Sequence, residues 1–148
     1  DISDDALKVA DYNKKYNNAD YIKLIKSDMF SSSECEQYKN EDNRFDVIVS
    51  NPPYIPTKDI DELSEEVRLH DPVLALDGDT DGLKFYKAIT KQSVNYLKEN
   101  GYLCYEIGYN QAEDVRNIME QCGYSGIKVI KDLAGLDRVV IGRLNNIN

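Results

Sequence analysis

The chain has 148 residues, 41% hydrophobic and 30% charged, the composition of an ordinary globular domain long enough to bury one core. Its net charge of −9 opposes the basic footprint that stable nucleic-acid binding requires, which leaves a small molecule or a protein as the expected partner. No apolar run approaches the roughly 20 residues of a membrane span, and no secretory leader is visible.

Cys35, Cys104 and Cys122 are far apart and form no C-x-x-C pair. The expectation is reduced thiols in a cytoplasmic protein, with neither a metal site nor a disulfide framework.

In chain order, residues 3–17 predict a helix. Ser3 is placed to cap it, Asp4 and Asp5 suit its positive end, and Leu7, Val9 and Ala10 supply an apolar face. Tyr21-Ile22-Lys23-Leu24-Ile25-Lys26 alternates as a strand does, closed by Ser27 and Asp28. Residues 31–44 are polar and read as a loop or short helix. Phe45 to Ser50 follows as a strand, and the β-branched run Val47-Ile48-Val49 suits a central parallel strand covered on both faces. Pro52 and Pro53 have no N–H for a ladder, so the strand stops before them. Asn51 and Tyr54 are then displayed at its carboxyl end, where open α/β sheets bind their ligands.

From Ile55 to Thr80 periodicity is weak, apart from a short helix around Leu63 to Leu69. A stretch this long inside a compact domain reads as a lid or binding loop. Asp81 to Glu99 predicts a long helix ended by Gly101, then Tyr102 to Ile107 a strand stopped by Gly108, then Gln111 to Gln121 an amphipathic helix ended near Gly123. Ile127 to Lys131 and Arg138 to Arg143 are the last two strands, a hairpin closed through Ala134-Gly135-Leu136-Asp137. Alternating strands and helices predict an α/β domain whose sheet is largely parallel, with an antiparallel strand near the end. No strand precedes the first helix and no glycine precedes Gly78, so the early strand and Gly-rich turn of a nucleotide-binding doubly wound domain are both missing.

Asn51-Pro52-Pro53-Tyr54 resembles the signature of the class I S-adenosylmethionine-dependent methyltransferases that modify planar nitrogens. An amide or exocyclic amine is a poor nucleophile because its lone pair is delocalised into the π system. Two acceptors that take both N–H groups fix the nitrogen and turn its lone pair toward the methyl group, which is catalysis by positioning and preorganised hydrogen bonding. The resemblance assigns the acceptor roles to the Asn51 side-chain oxygen and the Pro52 carbonyl. Tyr54 then packs on the planar group, and Pro53 belongs to the same substrate-binding loop. No strong general base is required, and none is obvious in the sequence.

Other stretches narrow the resemblance: Ile55-Pro56, Glu66-Val67-Arg68-Leu69-His70-Asp71-Pro72, Ala75-Leu76-Asp77-Gly78 and Asp81-Gly82-Leu83. Glu106-Ile107-Gly108 with Gln111, and Asp132-Leu133-Ala134-Gly135-Leu136-Asp137-Arg138, continue the series. Together they are similar to the catalytic domain of the peptide-chain release-factor glutamine methyltransferases (the HemK-type family), over almost the whole chain. That resemblance implies a Rossmann-like methyltransferase sheet, incomplete on its N-terminal side. It also implies transfer of a methyl group from S-adenosylmethionine to the side-chain amide of the Gln in the Gly-Gly-Gln loop of class 1 release factors, with S-adenosylhomocysteine as product. Asp1 matches the residue that bonds the cofactor ribose, Asp28 and Met29 the pair beside its adenine, and Asn51 also adjoins its methionine part. The family's first strand, Gly-rich loop and N-terminal helical domain would lie before Asp1, so residues 1–148 are expected to be a partial catalytic domain.

Two other readings share these residues. A DNA adenine methyltransferase uses the same Asn-Pro-Pro-Tyr logic but needs base flipping and a basic groove. A non-catalytic remnant, acting only as a binding module, fits the missing glycine loop. Among lone candidates, His70 suits a loop turn with Asp71 and Pro72 better than catalysis, and Asp46 sits at the wrong end of its strand. Glu106 could reach the pocket or serve as support, and Arg68 could bind a release-factor acid or anchor its loop.

Overall fold

The computed structural model describes residues 1–145, and the chain divides into two compact units, Asp1–Asn43 and Arg44–Asn148. In the first unit α1 spans Asp4–Tyr16. Ser3 is its cap, with the hydroxyl accepting from the Ala6 N–H at 3.2 Å, and Lys14 and Lys15 sit in the last turn where the dipole favours cations. Leu7 and Ala10 are half-buried, but Val9 faces solvent and does not share their face. Short 3-10 turns at Ser33–Lys39 and Glu41–Asn43 follow where a loop or short helix was expected.

Residues 21–26 correct the sequence reading: Tyr21 belongs to a turn and the residues after it form no strand. The Asp1 nitrogen donates to the Ile25 carbonyl (3.0 Å) and the Ser27 N–H to the Asp1 carbonyl (2.9 Å), a ladder too short to make a sheet. Alternation specifies which side chains share a face. A strand also needs a neighbouring backbone, which alternation does not supply.

The second unit is built on a four-stranded sheet in the order β1-β2-β4-β3, with β1 Phe45–Ser50, β2 Leu97–Glu106, β3 Tyr124–Lys131 and β4 Asp137–Leu144. β1 and β2 pair in parallel, and β4 is antiparallel to both β2 and β3. The sheet is therefore mixed: three strands run one way and β4 opposes them, as the antiparallel strand expected near the C-terminus. Helices α4 (Lys84–Ser93) and α5 (Ala112–Gln121) cover one face. There Leu103, Tyr105, Ile107 and Val140 are buried with Tyr86, Ile89, Val115 and Met119. Two hydroxyl pairs cross this core, Tyr105 with Thr90 at 2.8 Å and Tyr124 with Ser93 at 2.7 Å, which satisfies these four hydroxyls.

β1 is not the doubly covered central strand that its composition suggested. It lies at an edge of the described sheet, with Val47 49% and Val49 75% exposed. β-branched composition favours the pleat but says nothing about how many neighbours a strand has.

The predicted helix over 81–99 is also shorter than expected. It begins at Lys84, after the Asp81 carboxylate has taken the Leu83 N–H at 2.9 Å, and it ends at Ser93. The Ser93 hydroxyl bonds back to the Thr90 carbonyl (2.9 Å) and across to Tyr124, and a turn through Asn95 and Tyr96 leads into β2. Leu97 pairs with Phe45 and Tyr102 with Val47, so residues 98–101 bulge out of the ladder. Gly101 belongs to that bulge: a Cβ there would lie 2.9 Å from the Lys98 carbonyl.

Between β1 and α4 the chain makes a 3-10 turn at Thr57–Glu62 and helices α2 (Glu65–His70) and α3 (Val73–Leu76), the first of them where a short helix was predicted.

Candidate functional site

β1 ends at Ser50, opposite Tyr105 of β2, and the chain leaves the sheet through Asn51-Pro52-Pro53-Tyr54. Pro52 is buried, Pro53 and Tyr54 are half-buried, and Asn51 is exposed. The Asn51 side-chain amide has no hydrogen-bond partner among the described residues, so both its oxygen and its N–H groups are available to a ligand. Two prolines leave the loop short of donors of its own. Its anchorage comes from elsewhere.

That anchorage has two parts. Downstream, the Ile55 N–H donates to the Leu76 carbonyl (3.0 Å) and the Gly78 N–H returns to the Ile55 carbonyl (2.8 Å), a parallel bridge that closes the base of the 55–77 excursion. Asp77 reinforces it by accepting from the Thr57 hydroxyl (2.8 Å) and the Asp79 N–H (2.9 Å). At Tyr54 itself the carbonyl accepts from Gln111 Nε2 at 2.9 Å. The same amide nitrogen lies 3.4 Å from the Gly82 carbonyl, while Gln111 Oε1 accepts from the Gly108 N–H at 3.0 Å.

Three glycines let these segments approach. A Cβ on Gly78 would sit 2.8 Å from the Tyr54 Cα, and one on Gly108 would sit 2.7 Å from Gln111 Oε1 and 3.4 Å from the Tyr54 ring. At Gly82 a Cβ would clash with the Tyr54 carbonyl oxygen, and the backbone is left-handed with φ +71°. The sequence reading gave Gln111 and these glycines no part in the site: Gly108 stopped a strand, Gln111 began a helix, and otherwise they belonged only to the motif series. A polar residue between a strand-ending glycine and an amphipathic helix was the available signal.

The remaining candidates fall as follows. Glu106 ends β2 beside β1, and its backbone carbonyl accepts from the Tyr86 hydroxyl at 3.0 Å. Burial pushes the Tyr86 phenol well above its ordinary range, so it stays a donor. Arg138 donates to the Ile107 carbonyl (3.3 Å) and to Asp132 (3.2 Å), tying the β3–β4 hairpin to the end of β2. Asp46 pairs with Lys98 at the opposite end of the strand, and His70 and Arg68 are exposed on α2.

In the first unit Asp1 is exposed, and its Oδ1 takes the Ser3 N–H at 2.8 Å. Asp28 is exposed, and Met29 is half-buried with φ +50°. The Asp1–Ser27 backbone bond places Asp1 one residue from Asp28 along the chain, so three of the four cofactor candidates share this unit and Asn51 belongs to the other. All three cysteines are free, and no cluster able to hold a metal occurs among the described residues.

A parallel strand thus delivers an exposed amide and a half-buried aromatic ring past two prolines. The family model described as Eco57I restriction-modification methylase matches residues 2–118, and the chain belongs to that family. Among named proteins it is similar to release factor glutamine methyltransferases, and the resemblance read from its motifs holds along the chain. The protein of that name from Fusobacterium nucleatum is 41% identical over 143 residues, which are 97% of this chain and 39% of the relative. That from Clostridium acetobutylicum is 40% identical over 142 residues, 95% of this chain and 48% of the relative. The chain thus spans less than half the length of these relatives. The fold agrees with that of a methyltransferase from Pyrococcus furiosus, with a TM-score of 0.61 at 16% identity over 99% of this chain and 61% of the other.

Proposed function

We propose that the protein carrying this chain methylates the side-chain amide of the Gln in the Gly-Gly-Gln loop of class 1 release factors, as a partial catalytic domain within a longer cytoplasmic enzyme. The observation that carries the reading is the Asn51–Tyr54 loop at the carboxyl end of β1, with Asn51 exposed and its amide unpaired among the described residues. The names of relatives about 40% identical support the choice of substrate.

The Asn51 side-chain oxygen and the Pro52 carbonyl accept the two N–H bonds of the substrate amide, and Tyr54 stacks on its plane. Held so, the amide nitrogen presents its lone pair for attack, and after transfer its extra proton leaves to water. S-adenosylmethionine, when bound, supplies the electrophilic methyl. Asp1, Asp28 and Met29 would hold it: Asp1 keeps one carboxylate oxygen beyond its Ser3 bond for a ribose hydroxyl, exposed Asp28 can accept from an exocyclic amine, and a thioether can cover a ring. The donor chemistry fits a nucleoside carrying hydroxyls and an amine.

Mass spectrometry of a release factor incubated with the protein and S-adenosylmethionine tests the proposal. A gain of one methyl on the Gly-Gly-Gln glutamine is expected, and an unmodified glutamine overturns it. A nucleobase-modifying reading draws on the description of the matched family, a restriction-modification methylase. The net charge of −9 opposes it, and methyl transfer to DNA in the same assay would favour it.

A further inference from the structure

We infer that Gln111 is a positioning residue for the amide clamp: it sets the direction of the Asn51–Tyr54 loop without touching substrate. The inference rests on the methyl-transfer reading of that loop. Gln111 is only 6% exposed, yet it carries a full polar side chain, so its hydrogen bonds have to account for its burial. They do so across three segments: Oε1 accepts from the Gly108 N–H at the end of β2, and Nε2 donates to the Tyr54 carbonyl and reaches the Gly82 carbonyl. An N–H donor on one side and two carbonyls on the other leave a single orientation for the amide, because either flip sets like against like.

The loop it holds cannot hold itself. Pro52 and Pro53 offer no N–H, so the Tyr54 carbonyl is where a side chain reaches in and grips the motif. Gly82 and Gly78 press on the same residue at distances that no side chain permits. Tyr54 is therefore fixed between a donor and two bare backbones. A rotation of its peptide would be passed through the stiff Pro52-Pro53 pair to the Pro52 carbonyl and the Asn51 side chain, the two proposed acceptors. Misplacement of a reacting group by about 1 Å can cost on the order of 100-fold in rate.

Gln111→Glu separates positioning from bulk. It keeps the shape and the acceptor for Gly108 but replaces the donor with a carboxylate oxygen facing two carbonyls. Burial beside those carbonyls raises the pKa of the introduced acid, and in its protonated form it can donate to Tyr54 again. In the protein carrying this chain, at pH 8, kcat for release-factor methylation is expected to fall at least about 10-fold, with the dissociation constant for S-adenosylmethionine within about twofold of wild type. The ratio of variant to wild-type kcat is then expected to climb as pH is lowered to 6. Gln111→Met, which has no donor at any pH, loses the rate without that recovery.

The inference is overturned if both variants keep kcat within twofold. It is equally overturned if kcat and cofactor affinity fall together with the thermal midpoint, or if neither variant folds, since Gln111 would then be structural only. Wild-type protein that leaves release factor unmethylated overturns the functional reading instead, before any variant is compared.

Discussion

Asn51, the proposed acceptor for the substrate amide, carries little of the structure. Its side chain is exposed and unpartnered among the described residues, so Asn51→Ala is expected to leave the unfolding free energy within about 0.5 kcal/mol of wild type. On the proposed reading, the same change removes one of two acceptors for the substrate amide. Losing one preorganised hydrogen-bonding group of this kind costs on the order of 100- to 1,000-fold in turnover. Thermal unfolding and methyl-transfer kinetics on one preparation separate these outcomes; a large loss of stability would place Asn51 in the fold rather than in the chemistry. Asn51 was legible in the sequence because its context is local, a β-branched run followed by two prolines. Gln111 was not, because its partners Tyr54 and Gly82 lie 57 and 29 residues away and only the folded chain brings them together.

At the scale of elements, the close approach of the Gly82 turn to the β1 loop is the packing feature that the site depends on. Gly82→Ala introduces a Cβ against the Tyr54 carbonyl oxygen at a residue with φ +71°. Left-handed strain in a non-glycine residue costs about 1–3 kcal/mol, and the clash adds to it. A lowered thermal midpoint is expected, with turnover falling further than the folded fraction accounts for. An alanine variant of unchanged midpoint would mean that the turn relaxes freely. The 81–99 segment teaches a related lesson. Leu83, Tyr86, Ile89, Val94 and Leu97 keep a helical spacing, yet the helix stops at Ser93. The Ser93 hydroxyl is drawn to the Thr90 carbonyl and to Tyr124, and Leu97 pairs with Phe45 in β2 instead. Periodicity cannot see a competing strand partner.

For the whole molecule, the titrating groups define a pH window. The Thr80 backbone N–H and the Lys84 ammonium lower Asp79 from 3.8 to about 2, Lys87 and the Leu83 N–H lower Asp81, and the Leu136 N–H and Arg138 lower Asp132. Carboxylates with depressed values contribute stability that is present above pH 3.8 and is lost as pH falls toward 2. Burial raises Tyr124 from 10.0 to about 12 and lifts Tyr86 and Tyr105 further. Their contribution is whole below pH 10 and is lost as pH rises, for Tyr124 through about 12 and for Tyr86 and Tyr105 only above that. Burial also raises Cys104 and Cys122 from 9.0, so the thermal midpoint is expected to be level between about pH 4 and 9 and to fall on both sides; a midpoint rising below pH 4 would contradict the ion-pair assignments.

The sequence by itself determined the α/β alternation, the capped first helix, the strand at 45–50 and the Asn51–Tyr54 loop that ends it. These depend on neighbours in the chain: a cap before a helix, a β-branched run, a pair of prolines. Tertiary structure alone decided that residues 21–26 form no strand, that β1 lies at a sheet edge, that the helix stops at Ser93, and that Gln111 braces Tyr54. Each of those depends on which distant backbone or side chain arrives to take a hydrogen bond, and local pattern carries no record of that arrival.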